Sequence, residues 1–225
     1  MNLDDRERFK QLDPQNMLAE IDGLPAQLEQ AWALGMRQRL DGLKDVRQVL
    51  IAGMGGSAIG GDLVSTYVTE RMATPLAVHR NYGLPAWARG PETLVIASSH
   101  SGNTEETLST FDEALEAGCR MLAITTGGRL AERAAEAGVP VWRFVHPGQP
   151  RAAVGFSFGL LLAALVQAGL IPDVSEEVES AVDAMRQQQA QLEVGVPVIQ
   201  NPAKRYAGQL VDRYVTVFGS DYLTP

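Results

Sequence analysis

The sequence predicts an α/β protein built on a parallel sheet. Two observations carry that reading. Short apolar runs recur near 49–52, 76–79, 93–98, 119–125 and 141–145, and helical periodicity follows several of them, near 58–69, 104–117 and 130–137. Strands that are apolar throughout, alternating with helices, belong to a sheet covered on both faces. Composition agrees with a packed core, at 45% hydrophobic and 20% charged residues, and argues against wholesale disorder. The length is 225 residues. At about 150 residues per domain this corresponds to roughly one and a half domains.

The elements follow in order. Asp13-Pro14 predicts a helix start, with Asp as N-cap and Pro at the first helical position. Met17, Ile21 and Leu24 recur at helical spacing, Pro25 interrupts, and a second helix is expected over 26–40. The run at 49–52 is a strand ending in Gly53-Met54-Gly55-Gly56-Ser57, with a helix over 58–69. Strands at 76–79 and 93–98 come next, the second leading into Ser99-His100-Ser101-Gly102-Asn103-Thr104. A helix carrying Leu108, Phe111 and Leu115 stops at Gly118. Strand 119–125, helix 130–137 and strand 141–145 complete the alternation. A buried helix over 152–168 and an amphipathic one over 173–192 follow, the latter with Val178, Val182, Met185 and Leu192 on one side. Residues 211–218 read as a further strand leading into Gly219-Ser220, much as 50–52 lead into Gly53. A lone parallel strand must borrow neighbours. The segment is therefore either the first strand of a second, absent copy of the fold or an edge strand of the first sheet.

Charge and cysteine content narrow the function classes. With 19 basic and 27 acidic residues the net charge is −8, a poor basis for non-specific binding to nucleic acid or anionic membrane. One cysteine, Cys119, rules out an intramolecular disulfide framework, and no His or Cys lies near it at metal-ligand spacing. It is expected to be a buried, unreactive thiol. The charged opening Asp4-Asp5-Arg6-Glu7 is not that of a signal peptide, and no apolar run reaches membrane-spanning length. The expectation is a cytoplasmic protein with no metal.

Two loops stand where open α/β sheets bind ligands, at the C-terminal ends of strands. In the first, glycines let backbone approach an anion and the following helix offers free N–H groups. Gly53, Gly55 and Ala58 also fit the dinucleotide fingerprint, yet the strand at 76–79 ends without the acidic residue that grips a ribose; Arg80 leaves a 2′-phosphate reading open. The absence of Gly-Lys-Ser/Thr excludes a Walker loop. The second loop places three hydroxyls, Ser99, Ser101 and Thr104, at the mouth of a helix. Hydroxyls and N–H groups together can wrap a phosphate; the alternative is ordinary helix capping by Ser101 or Asn103. Paired with a glycine-rich loop, the hydroxyl loop favours a phosphate cup.

Ser99-x-Ser101-Gly102-Asn103-Thr104-x-Glu106-Thr107 after an apolar strand resembles the phosphosugar loop of sugar isomerase (SIS) domains. With Gly53-Met54-Gly55-Gly56-Ser57, Pro150-Arg151-Ala152-Ala153, Asp13-Pro14-Gln15-Asn16-Met17 and Asn201-Pro202-Ala203-Lys204, it resembles more narrowly the bifunctional phosphoglucose/phosphomannose isomerases, over essentially the whole chain. The resemblance implies an SIS-type three-layer sandwich with N-terminal helices and the start of a second SIS domain. It divides the chain into 1–45, a helical segment; 46–170, a first SIS domain; 171–210, a helical linker; and 211–225, the first strand of a second domain. It implies that Gly55, Gly56, Ser57, Ser99, Ser101 and Thr104 hold the phosphate of a hexose phosphate. Arg151 would stabilise the cis-enediolate of an aldose–ketose isomerisation, a task suited to a permanently charged guanidinium. It further implies a homodimer and no cofactor, since the chemistry is proton transfer.

The family's proton-transferring Glu, ring-opening His and late Lys follow the second domain's first strand, so none has a counterpart here. Glu176, Glu177, Glu179 and Glu193 read as a solvated helix face, and His100 replaces what is often an aromatic or polar position. A missing acid or base costs about 10²–10⁴-fold in rate. The expectation is a chain carrying mainly the phosphate-binding half, with negligible isomerase activity alone. A non-catalytic phosphosugar-binding or regulatory module and a dinucleotide-binding protein are the competing readings.

Overall fold

The computed structural model describes residues 2–40, 43, 45–220, 223 and 225. Five parallel strands form the sheet: β1 (Gln48–Ala52), β2 (Leu76–His79), β3 (Thr93–Ser99), β4 (Arg120–Thr125) and β5 (Val141–Arg143), in the order β2-β1-β3-β4-β5. Ala52 pairs with both His79 and Ala97, and Ser99 with Thr125. Strand ends that carry loops thus lie side by side.

Side-chain alternation along the strands explains the two covered faces. Val49, Ile51, Leu94, Ile96, Leu122 and Ile124 face one core, while Leu50, Val95, Ala97, Met121 and Ala123 face the other. The second core is closed by α5 (Glu105–Glu116) and α6 (Gly128–Glu136), through Leu108, Phe111, Leu130 and Ala134. The first is closed by α4 (Gly55–Val68) and α7 (Val154–Gln167), with α3 (Leu24–Met36) packed on α7 and α8 (Ser175–Leu192) packed on α3. The helices before and after the alternating region therefore share one core with the sheet.

The α3–α7 contact is close because small residues line it. A Cβ on Gly159 would lie 2.7 Å from that of Ala31, and one on Gly155 would lie 3.0 Å from the Leu28 backbone nitrogen. Trp32 of α3 is 8% exposed and donates its Nε1–H to Ser175 Oγ at 3.2 Å, tying α3 to the start of α8. Ser175→Ala is expected to cost about 1 kcal/mol, the worth of one such bond. Urea unfolding followed by tryptophan fluorescence would read it as a lower midpoint.

Several local expectations change. Residues 6–12 form α1 (Arg6–Leu12), capped by Asp5, which accepts from Arg8 N at 3.1 Å. None of its residues is buried, and Phe9 and Leu12 alone are too few to set a hydrophobic period. Asp13 does serve a helix N-terminus, accepting from Met17 N at 2.8 Å and Leu18 N at 2.9 Å. That helix, α2 (Met17–Asp22), starts three residues beyond Pro14, after Asn16 in the left-handed region. Pro25 opens α3 rather than interrupting it, the position where a missing N–H costs least. A ninth helix, α9 (Pro202–Leu210), is capped by Asn201. Its buried Lys204 ion-pairs with Asp4 at 2.9 Å.

The strand expected over 211–218 does not form. These residues pair with no strand, and Tyr214, Val217 and Phe218 are exposed. Neither β2 nor β5 takes the segment as an edge partner, and a parallel strand has no ladder without one. Residues 221, 222 and 224 of the same region, and 41, 42 and 44 of the N-terminal segment, lie outside the described residues. Among the described residues no helix is long and apolar enough to cross a membrane.

Candidate functional site

In a sheet of order 2-1-3-4-5, connections leave β1 and β3 in opposite directions, and the crevice between their C-terminal ends is where a ligand fits. The two singled-out loops occupy those ends. Gly53 closes against Ser98, whose carbonyl would lie 3.0 Å from a Cβ at Gly53. Gly55 has φ +51°, which turns the chain directly into α4. The helix has Met54 as its N-cap and no side-chain cap, so its first N–H groups are left without a side-chain partner.

The hydroxyl loop is folded by its own bonds. Ser99 Oγ lies 2.9 Å from Thr104 Oγ1 and accepts from Gly102 N at 3.1 Å. Ser101 Oγ accepts from Asn103 N at 3.2 Å. The capping alternative is not realised for α5: Thr104 is its N-cap and makes no side-chain cap bond. Asn103 instead reaches α6, its Oδ1 accepting from Arg129 N at 3.1 Å. Two helices of 14 and 12 residues therefore start side by side with uncapped N-termini, where the peptide dipoles favour an anion. Glu105 and Glu106 occupy the first turn of α5, and Glu105 accepts from Tyr82 Oη at 3.1 Å.

The third segment arrives from 50 residues further on. Pro150–Ala152 forms a 3-10 turn pressed on the glycine loop: a Cβ on Gly56 would lie 2.8 Å from the Pro150 carbonyl oxygen and 3.4 Å from Arg151 Cα. The backbones of Gly56 and Arg151 thus meet. The Arg151 side chain is exposed and has no ion pair among the described residues. Ser57 is buried at the start of α4, Ser99 is buried, Thr104 is half-buried and Ser101 is exposed.

Other candidates are engaged elsewhere. Arg80 is ion-paired with Asp62, so it is not a free 2′-phosphate ligand. Glu176, Glu179 and Glu193 are exposed, and Glu177 accepts from Tyr67 Oη near the far end of α4. Burial first, and that carboxylate next, push the Tyr67 phenol up to about 12. At 1.5 Å per residue, Tyr67 is roughly 18 Å from the cup end of its helix. Cys119 donates to the Ala88 carbonyl at 3.4 Å, and burial raises its thiol pKa, as suits an unreactive thiol. No group of three metal-ligating side chains occurs among the described residues.

One cluster was not legible from spacing. His100, in the hydroxyl loop, has its Nε2 3.1 Å from His146 Nδ1, and His146 Nε2 is 2.9 Å from Glu20 Oε2. Partners 46 and 126 residues apart leave no periodic trace in the sequence. His79 is simply a strand-end residue, with Nε2 3.1 Å from the Gly83 carbonyl.

Burial, and then the charge of neighbouring His146, lower the His100 pKa below its usual 6.5; a hydrogen bond to His146 opposes them. On acidification the unfolded chain takes up this proton before the folded chain does. His100 therefore removes stability as pH falls from about 6.5 to its lower folded pKa, and no more beyond that. His100→Phe is expected to flatten that part of the acid slope, measured by urea unfolding between pH 7.5 and 5.

The fold is that of the SIS phosphosugar isomerases. Tagatose-6-phosphate ketose/aldose isomerase from Escherichia coli superposes with a TM-score of 0.54 at 19% identity, over 76% of this chain and 52% of that one. No family model matches the chain. The chain is a homologue of the curated proteins named bifunctional phosphoglucose/phosphomannose isomerase. The one from Caldicellulosiruptor bescii is 39% identical over 204 residues, 90% of this chain and 60% of that protein. The one from Aquifex aeolicus is 32% identical over 180 residues, 75% and 56% respectively. The chain thus spans somewhat under two thirds of the length of these relatives.

Proposed function

We propose that the chain binds a hexose 6-phosphate at the β1/β3 crevice, as part of a phosphosugar isomerase that interconverts glucose or mannose 6-phosphate with fructose 6-phosphate. The observation that carries this is the pairing of two uncapped helix N-termini with a hydroxyl loop at the sheet's switch point. In this reading Gly55, Gly56 and Ser57 supply backbone and hydroxyl donors from α4, and Ser99, Ser101 and Thr104 supply hydroxyls from the facing loop. Arg151 stands over the sugar's C1–C2 end. There its guanidinium stabilises the negative charge of a cis-enediolate after a base removes the proton alpha to the carbonyl. The reaction needs no organic cofactor. The homologues named as phosphoglucose/phosphomannose isomerases support the substrate class. A cytoplasmic setting and a homodimer belong to the same proposal.

The late carboxylates are exposed on or beside α8 rather than gathered at the cup, which supports binding without turnover for these 225 residues. Titration calorimetry with glucose 6-phosphate, beside NADP as a control, tests the reading. Saturable binding of the sugar phosphate and none of NADP is expected. Arg151→Ala should weaken the sugar phosphate by about tenfold, the worth of one charge-assisted contact. Binding of NADP with no response to sugar phosphate would overturn the reading in favour of a dinucleotide protein.

A further inference from the structure

Three side chains from distant parts of the chain form a hydrogen-bonded line that ends in the hydroxyl loop. Glu20 lies on α2, His146 lies just beyond β5, and His100 sits between Ser99 and Ser101. The His146 side chain is 6% exposed. Its ring lies 5.9 Å from Phe156, and His100 stands edge-on to Phe144 at 5.7 Å. Phe144 and Phe156 stack at 4.9 Å behind them, so both imidazoles have a fixed wall.

The proton positions follow from the donor inventory. A carboxylate only accepts, so His146 Nε2 carries the hydrogen that bonds Glu20 Oε2. In neutral His146 the other nitrogen, Nδ1, is then a bare acceptor. Its partner must be the donor, so His100 carries its hydrogen on Nε2. Neutral His100 is left with a bare lone pair on Nδ1. His100 also makes a hydrogen bond to the His146 backbone, which ties the ring further to that residue. At the other end of the line, Glu20 lines a cleft of about 430 Å³ with Gln15 and Gln149, where solvent reaches it.

We propose that His100 is a sugar-reading residue of this site. Its Nδ1 accepts a hydrogen bond from a hydroxyl of the bound phosphosugar, and Glu20, through His146, is the positioning residue that fixes its tautomer. The proposal rests on the phosphosugar-binding reading. A phosphate cup built from hydroxyls and N–H groups offers mainly donors. A sugar hydroxyl also needs an acceptor, and an imidazole lone pair within the hydroxyl loop itself supplies one. Inorganic phosphate has no sugar hydroxyl and does not need this contact.

Calorimetric titrations of the 225-residue chain with glucose 6-phosphate and with inorganic phosphate, at fixed pH and ionic strength, separate the two recognitions. His100→Phe is expected to weaken glucose 6-phosphate by about tenfold and leave inorganic phosphate within about twofold, as for loss of one hydrogen bond. Glu20→Gln, at a half-buried carboxylate whose loss spares the core, is expected to weaken glucose 6-phosphate by about threefold, again sparing phosphate. Nitrogen-15 imidazole spectra give a readout that packing alone would not move. The native chain should show His146 protonated at Nε2 and His100 at Nε2, and Glu20→Gln should mix the tautomers. Equal losses for both ligands, unchanged sugar affinity in His100→Phe, or a native hydrogen on His146 Nδ1 would each overturn the proposal. A native chain that binds phosphate but discriminates nothing sinks this inference alone. A native chain that binds neither ligand sinks the phosphosugar reading and this inference with it.

Discussion

Gly102→Ala is expected to destabilise the protein by about 3 kcal/mol, near the upper end for a single backbone-strain substitution. Gly102 has φ +67°, a conformation that disfavours any Cβ. Space is also lacking. A Cβ there would overlap the Gly127 carbonyl and approach Thr125 Oγ1 to 2.9 Å. The backbone cannot retreat cheaply, because Gly102 N donates to Ser99 Oγ and its carbonyl accepts from Leu130 N at 2.9 Å. For a domain of this size the loss corresponds to a melting temperature lower by roughly 6–12 °C. Circular dichroism melts would measure it. The same strain displaces the hydroxyl loop, so phosphosugar affinity should fall more than tenfold even where the variant is fully folded. A variant as stable as the native chain would show that the loop relaxes freely.

The double substitution Ser99→Ala with Thr104→Val is expected to reduce glucose 6-phosphate affinity by about 100-fold. Each hydroxyl facing a phosphate is worth about 1.5–3 kcal/mol when the partner is charged, and 1.4 kcal/mol is a factor of ten. The two hydroxyls are 2.9 Å apart, so one phosphate can engage both. Ser99 also accepts from Gly102 N, so the Ala change removes a structural bond. Ser101→Ala is the control. Its hydroxyl is exposed and among the described residues bonds only Asn103 N, two residues on, and it should cost about tenfold in affinity with little change in stability. Calorimetry would read the affinities and thermal melts the stability. An unchanged affinity in the double variant would place the phosphate elsewhere.

Much of the fold could be read from the chain because its information is local. The five apolar runs and the Gly118 stop are short-range patterns, and all five strands stand within two residues of their expected bounds. Both loops of the candidate site lie directly after such strands, so their place at the crevice followed from topology. What the sequence hid was long-range. The meeting of Gly56 with Pro150 and Arg151 depends on how α7 packs on α4, and the Glu20–His146–His100 line joins three segments with no common period. Helix α1 was missed because Phe9 and Leu12 are too few to set a helical period, and α9 because its start reads first as a motif rather than as an Asn cap with Pro behind it. The segment at 211–218 is not an edge strand of this sheet, the second of its two readings. Its β propensity is real, but propensity forms no ladder without a neighbour.

The small-residue seam between α3 and α7 has a consequence in time. Helix α3 ends at Met36 and α7 begins at Val154, so a chain growing from its N-terminus completes α3 long before its partner exists. At about 5–20 residues per second the wait is on the order of 10 s. Through that interval Leu28, Ala31 and Trp32 have no α7 to cover them. The parallel sheet is made meanwhile, and the Pro150–Ala152 turn that borders the glycine loop follows only after β5. The nascent chain thus has the hydroxyl loop before it has Arg151, and the candidate site closes only when the seam does.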